Sequence, residues 1–170
     1  MELWTVLVPL GKVVAYLLSL LMVGTGLFIL HFQSMLSPST FTYCQKLIFQ
    51  SSLAGLIVAP LLFLLVAGNI GGDMASSIDP LMISIAFSSK AGQAVLVLFL
   101  GFLLVCFWSY YLPKQIWIVA LAGFSLILIS FSVYGHSTIN GYSTQILIVL
   151  HLLAISYWVG SFLPLRYSTY

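Results

Sequence analysis

Five apolar runs, each about as long as a bilayer is thick, decide what this chain can become. They lie at about Val6–Phe32, Cys44–Ala67, Lys90–Leu112, Ile116–Tyr134 and Ser143–Leu165. A spanning helix needs ~20 mostly apolar residues, and in lipid each backbone polar group must be satisfied inside its own segment. Only 5% of the 170 residues are charged, against roughly 25% in a soluble domain. Such a chain cannot clothe a water-facing surface. The expected fold is all-α: a polytopic membrane helical bundle of about five transmembrane helices, forming a single domain with one short interfacial helix. The runs are apolar all round, which suits helices that meet lipid on one side and each other on the other.

The connections refine this frame. Leu36–Tyr43 reads as a short polar turn, Pro113-Lys114 as a tight turn, and Ser137–Tyr142 as a short loop centred on Asn140-Gly141. Pro60 predicts a kink in the second helix. The one long connection is Gly68–Ser89, with a flexible start at Asn69–Gly72. Asp79 followed by Pro80 is a helix start, because Asp caps the first turn and proline has no N–H to leave unpaired there. Leu81–Phe87 is apolar but too short to span, so it belongs in the membrane interface or over the bundle mouth. Trp4, Trp108, Tyr110, Tyr111 and Trp117 fall near helix ends, where aromatic anchors sit.

Several function classes drop out. A net charge of +2 with no basic tract gives no footing for nucleic acid. Cys44 and Cys106 are too distant in sequence to suggest a disulfide framework. No basic segment precedes the first apolar run, so that run is expected to stay as a helix rather than be cleaved. There is no nucleophile elbow, phosphate loop or paired carboxylate motif, and no enzyme is expected. Lys46, Lys114 and Arg166 fall on one side of the membrane, Lys12 and Lys90 on the other with Glu2, Asp73 and Asp79. The positive-inside rule then places the N-terminus outside and the C-terminus inside.

Two of the three histidines, His136 and His151, lie in Gly135–Pro164, beside Ser156, Tyr157, Trp158 and Gly160. An imidazole in an apolar segment needs a partner. Neutral imidazole is a common metal ligand, and a thioether or thiolate is a soft one. If the loop turns near Asn140, His151 sits ~10 Å deeper than His136 at helical rise. The two are therefore expected as successive stations. In the long connection Met74 is a candidate soft ligand, Asp79 a cap, and Met82 apolar filling. Cys44, Cys106 and His31 fall near the expected inner face, where a thiolate exit site competes with the commoner role of buried free cysteine as a small hydrophobe. Ser156 and Gly160 form a small-xxx-small pair, read as tight packing around His151, with Trp158 read as core.

The segment HLLAISYWVGSFLPL, His151 to Leu165, resembles a signature of the CopD-type copper-resistance family of bacterial inner-membrane proteins. His151, Leu152, Leu153, Ala154, Trp158, Gly160, Leu163, Pro164 and Leu165 fit its pattern. Gly135-His136, Asp79-Pro80 and Ala91–Ala94 resemble further parts of it. The resemblance implies copper ion as the bound species and points to His136 and His151 as its metal ligands, with Met74 the further candidate read from the long connection. It also implies uptake from a periplasmic carrier of the CopC type, at a bacterial inner membrane. Family members are usually nearly twice this length with about eight spanning helices, which raises self-association or a subunit supplying further helices. Two other classes stay open: a haem b-binding electron-transfer subunit, which needs two histidines at similar depth, and a non-transporting structural or assembly subunit of a membrane complex.

Overall fold

The computed structural model describes residues 4–111, 117–133 and 142–168. Its helices are α1 (Trp4–Phe32), α2 (Pro38–Gly71), α3 (Pro80–Ser88), α4 (Lys90–Tyr111), α5 (Trp117–Val133) and α6 (Tyr142–Ser168), with one 3-10 turn at Ala75–Ser77. No strand occurs among the described residues, so the all-α membrane bundle expected from the sequence is what the structure shows. Four helices, α1, α2, α4 and α6, are long and apolar enough to cross a membrane. The described part of α5 has 17 residues, at the short limit for a span.

Local chemistry sets the helix ends. Ser37 caps α2, accepting from the Thr40 amide at 3.2 Å, and Pro38 occupies its first position. The second helix therefore begins six residues before the expected Cys44, and most of Leu36–Tyr43 is helix rather than turn. It runs unbroken through Pro60 and past Ala67 to Gly71. Gly72 ends it with φ of 86°, a left-handed conformation that glycine adopts without a Cβ clash, and donates to the Gly68 carbonyl at 2.8 Å. Asp79 caps α3 as expected, accepting from the Leu81 amide at 2.8 Å. Ser89 joins α3 to α4: its hydroxyl donates to the Ala86 carbonyl and accepts from the Gly92 amide. The short helix lies against α2 and α4, where Phe87 meets Phe63 with ring centroids 4.7 Å apart.

Side-chain contacts give the helix directions. Trp4 packs on Gly68, so α1 and α2 are antiparallel. Phe102 of α4 fills the space over Gly55 of α2, and Gly92 faces Phe63, so these two are antiparallel as well. Gly101 meets Gly123 and Trp108 meets Trp117, which makes α5 antiparallel to α4. Gly24 lies against Ser156 and Gly160, while Phe28 and Phe32 share a small cavity with Leu165 and Ser168, so α1 and α6 run parallel. The end of the bundle where α1 begins is called the entry end below. Tyr43 stacks on Tyr167 at 4.3 Å at the opposite end.

The core is held as lipid requires. Phe102, Met22, Ile29, Ile48 and Ile127 are fully buried. Most hydroxyls satisfy themselves on their own helix, as Ser19 does on the Ala15 carbonyl and Ser130 on the Ile127 carbonyl, both at 2.7 Å. Thr25 differs: its hydroxyl donates across to the Gly160 carbonyl at 3.2 Å, tying α1 to α6. Two expected aromatic anchors, Trp4 and Trp108, are instead packed inward, because each meets a partner at the bundle ends: Gly68 for the first, Trp117 for the second. Tyr110 and Tyr111 are exposed as anchors should be.

Candidate functional site

His151 stands on the face of α6 that turns away from the bundle. Helical period sorts the two faces. Leu152, Ser156, Gly160 and Pro164 recur every four residues and are buried, Gly160 and Ser156 directly against α1. Leu147, His151, Ala154, Trp158 and Leu165 fall on the opposite face and are exposed. His151 comes nine residues after the start of the 27-residue α6, about 13 Å along its axis.

Two expectations change here. Ser156 and Gly160 do not pack around His151; they pack on α1, about half a helical turn away. Trp158 is 79% exposed rather than core. It lies seven residues from His151, and two turns of helix return it to the same outward face. The sequence reading also missed Thr25. Its flanking glycines, Gly24 and Gly26, were the signal, since a hydroxyl between two residues without side chains is free to reach a neighbouring backbone.

Met74 lies just before the 3-10 turn and is 60% exposed. The turn is organised by Asp73, whose carboxylate accepts from the Ser76 amide at 2.7 Å. Hydrogen bonds from the Ser76 side chain and amide hold the Asp73 carboxyl below its ordinary range. Neither the turn nor α3 touches α6, so Met74 and His151 are not brought together. His136 and the Asn140-Gly141 loop lie outside the described residues, as does Pro113-Lys114.

His31 is exposed at the far end of α1, its ring centroid 4.6 Å from Phe32 and 6.1 Å from Tyr157. Because Gly24 is level with Ser156–Gly160 on a parallel helix, His31 and His151 differ in depth by roughly 20 Å at 1.5 Å per residue. They cannot flank one planar cofactor. Cys44 is fully buried and Cys106 half-buried, and neither forms a disulfide. Among the described residues no three of His, Cys, Asp and Glu gather where they could hold one metal ion.

Fold and residue placement thus define a multi-pass helical protein of the lipid bilayer. The sequence matches the family model for the copper resistance protein D-like N-terminal domain over residues 1–145, and the chain belongs to that family. No curated protein and no solved structure matches it. The matched stretch includes Met74, Asp79-Pro80 and Gly135-His136, and it ends before the His151–Leu165 segment.

Proposed function

We propose that this protein binds copper ions as cargo in a bacterial inner membrane and passes them inward from the periplasm, serving copper homeostasis and resistance. The observation that supports this most is the family match, which covers 145 of 170 residues. On this reading the N-terminus and the Met74 turn face the periplasm, where a CopC-like carrier would deliver the ion. Met74 offers a thioether at the mouth, His136 an imidazole in the next loop, and His151 an imidazole on the outward face of α6. Separated ligands suit transit, since an ion that must leave again is better held weakly at several sites than tightly at one. His151 looks outward, so the remaining ligands there would come from a second copy or from a subunit supplying further helices. No catalytic step is part of this reading.

Copper loading of the purified protein in lipid nanodiscs tests it. Metal content and affinity are compared for the parent, His136→Ala, His151→Ala and Met74→Ala. Each histidine variant is expected to lose affinity by roughly tenfold or more, the scale on which even outer-shell changes act at metal sites. If all three variants hold as much copper as the parent, the assignment of these residues is wrong. Uptake of copper into proteoliposomes, compared with protein-free vesicles, tests passage separately.

A further inference from the structure

Of the four long spans, α6 is the least covered by the rest of the chain. Only 22% of its most apolar stretch is buried, against 39–56% in α1, α2 and α4. An outward face of leucines alone would need nothing but lipid. This face carries an imidazole. His151 stands in the run Ile146–Ile155, whose nine other members are all apolar. It is exposed and makes no hydrogen bond among the described residues. A polar ring left against hydrocarbon is costly, and ionisable side chains within spans nearly always pair with a partner or face the bundle interior. This face therefore calls for a polar partner from outside the chain.

Three features fit a second copy of the same chain. First, a neutral imidazole has one donor nitrogen and one acceptor nitrogen, so two of them satisfy each other. Second, copies inserted in the same direction are related by an axis along the membrane normal. Across a two-fold axis of that kind α6 meets its mate in parallel, and each residue of the strip meets itself at equal depth. His151 then falls opposite His151 with no further adjustment, whereas an unrelated helix needs a polar group at the matching level. Third, Ala154 follows His151 by three residues on the exposed face, and Trp158 follows Ala154 by four. A small side chain between two larger ones is where spanning helices approach closely, with polar side chains bonding across the seam.

We propose that the chain pairs with a second copy of itself through the outward face of α6, crossing at Ala154 and bonding His151 to the His151 of its mate. The helices diverge on either side of the crossing, so Leu147, two turns away, stays in lipid. The pairing does not rest on the copper reading. Where that reading holds, the second copy brings a second imidazole to the ion at this station.

Disulfide trapping in native membranes tests it without copper. In a Cys106→Ser chain, oxidation by iodine should link Ala154→Cys into a species with the mass of two chains. Ile118→Cys, at a position 74% exposed on α5, controls for random collision and should not link. The dimer fraction is then followed in nanodiscs or vesicles as the lipid-to-protein ratio rises. His151→Leu keeps the apolar surface but removes the polar pair, and should weaken pairing about three- to tenfold. His151→Asn, again both donor and acceptor, should restore most of it. Ala154→Phe should hold the helices apart and abolish the dimer. All of these positions are exposed, and helical circular dichroism checks that each variant folds. A dimer in a parent that binds no copper supports the pairing and counts against the copper reading alone. Equal linking of the two cysteine variants overturns the proposal, as does a parent that runs as one chain or with a chain of another kind. Unchanged pairing in His151→Leu or Ala154→Phe overturns it as well.

Discussion

Gly160→Ala asks whether the seam between α1 and α6 is as close as the structure has it. A Cβ at Gly160 would sit 2.5 Å from the Gly24 Cα and nearer still to the Gly24 carbonyl carbon and Thr25 amide nitrogen. Ordinary contact begins near 3.4 Å, so the helices must part by about 1 Å or more. All three clashing atoms are backbone, and no rotamer change relieves them. Overpacking of this kind costs about 1–3 kcal/mol. Parting the helices also lengthens the bond from Thr25 to the Gly160 carbonyl, now 3.2 Å, which is worth about 0.6–1.7 kcal/mol in a membrane bundle. Against this, alanine gains about 1 kcal/mol of helix propensity over glycine. The net expectation is a loss of about 1–3 kcal/mol. The assay is reversible unfolding from mixed micelles by rising SDS fraction, followed by helical circular dichroism. Gly24→Ala should lose as much, because its Cβ would strike the Ser156 carbonyl and lie 2.9 Å from the Gly160 Cα. The double variant should lose less than the sum, since the first alanine already parts the helices. Thr25→Val isolates the hydrogen bond. Leu147→Ala on the exposed face of α6 is the control and should move stability by less than about 0.5 kcal/mol. If Gly160→Ala and Gly24→Ala unfold where the parent does, the close approach of α1 and α6 is wrong.

Other consequences are local. The Ser156 hydroxyl is buried without a hydrogen-bond partner among the described residues, so Ser156→Ala should be neutral or stabilising by about 1 kcal/mol in the same unfolding assay; a clear loss would mean the hydroxyl has a partner. The Asp73 carboxyl, lowered by its bonds from Ser76, contributes order to the Met74 turn above its unfolded value. That order is lost as pH falls through its depressed folded value. The Ser76 amide should therefore exchange faster only at acid pH, and the dependence should vanish in Asp73→Asn. A small membrane-permeant maleimide should label half-buried Cys106 in the folded protein and buried Cys44 only after unfolding; equal rates would contradict the packing of α2. Asp79→Ala should weaken α3 by about 1 kcal/mol, seen as faster hydrogen exchange confined to Leu81–Ser88.

What the sequence revealed follows from the kind of signal each feature leaves. The spans were legible because hydrocarbon thickness imposes a length on every apolar run. The Asp79-Pro80 start was legible because a cap and a proline are local chemistry. The start of α2 was misread for the opposite reason: Ser37, Thr40 and Thr42 are polar and read as turn, yet their hydroxyls serve the helix, Ser37 by accepting the Thr40 amide and Thr42 by donating to the Pro38 carbonyl. Which way α6 turns was not legible at all. In a soluble helix the polar residues mark the solvent face, but in lipid that contrast disappears. Ser156 then lies inside by virtue of its size, and His151 and Trp158 lie outside because α1 takes the small residues. The Gly160 and Gly24 contact that decides this spans 136 positions of sequence, beyond the reach of any local pattern.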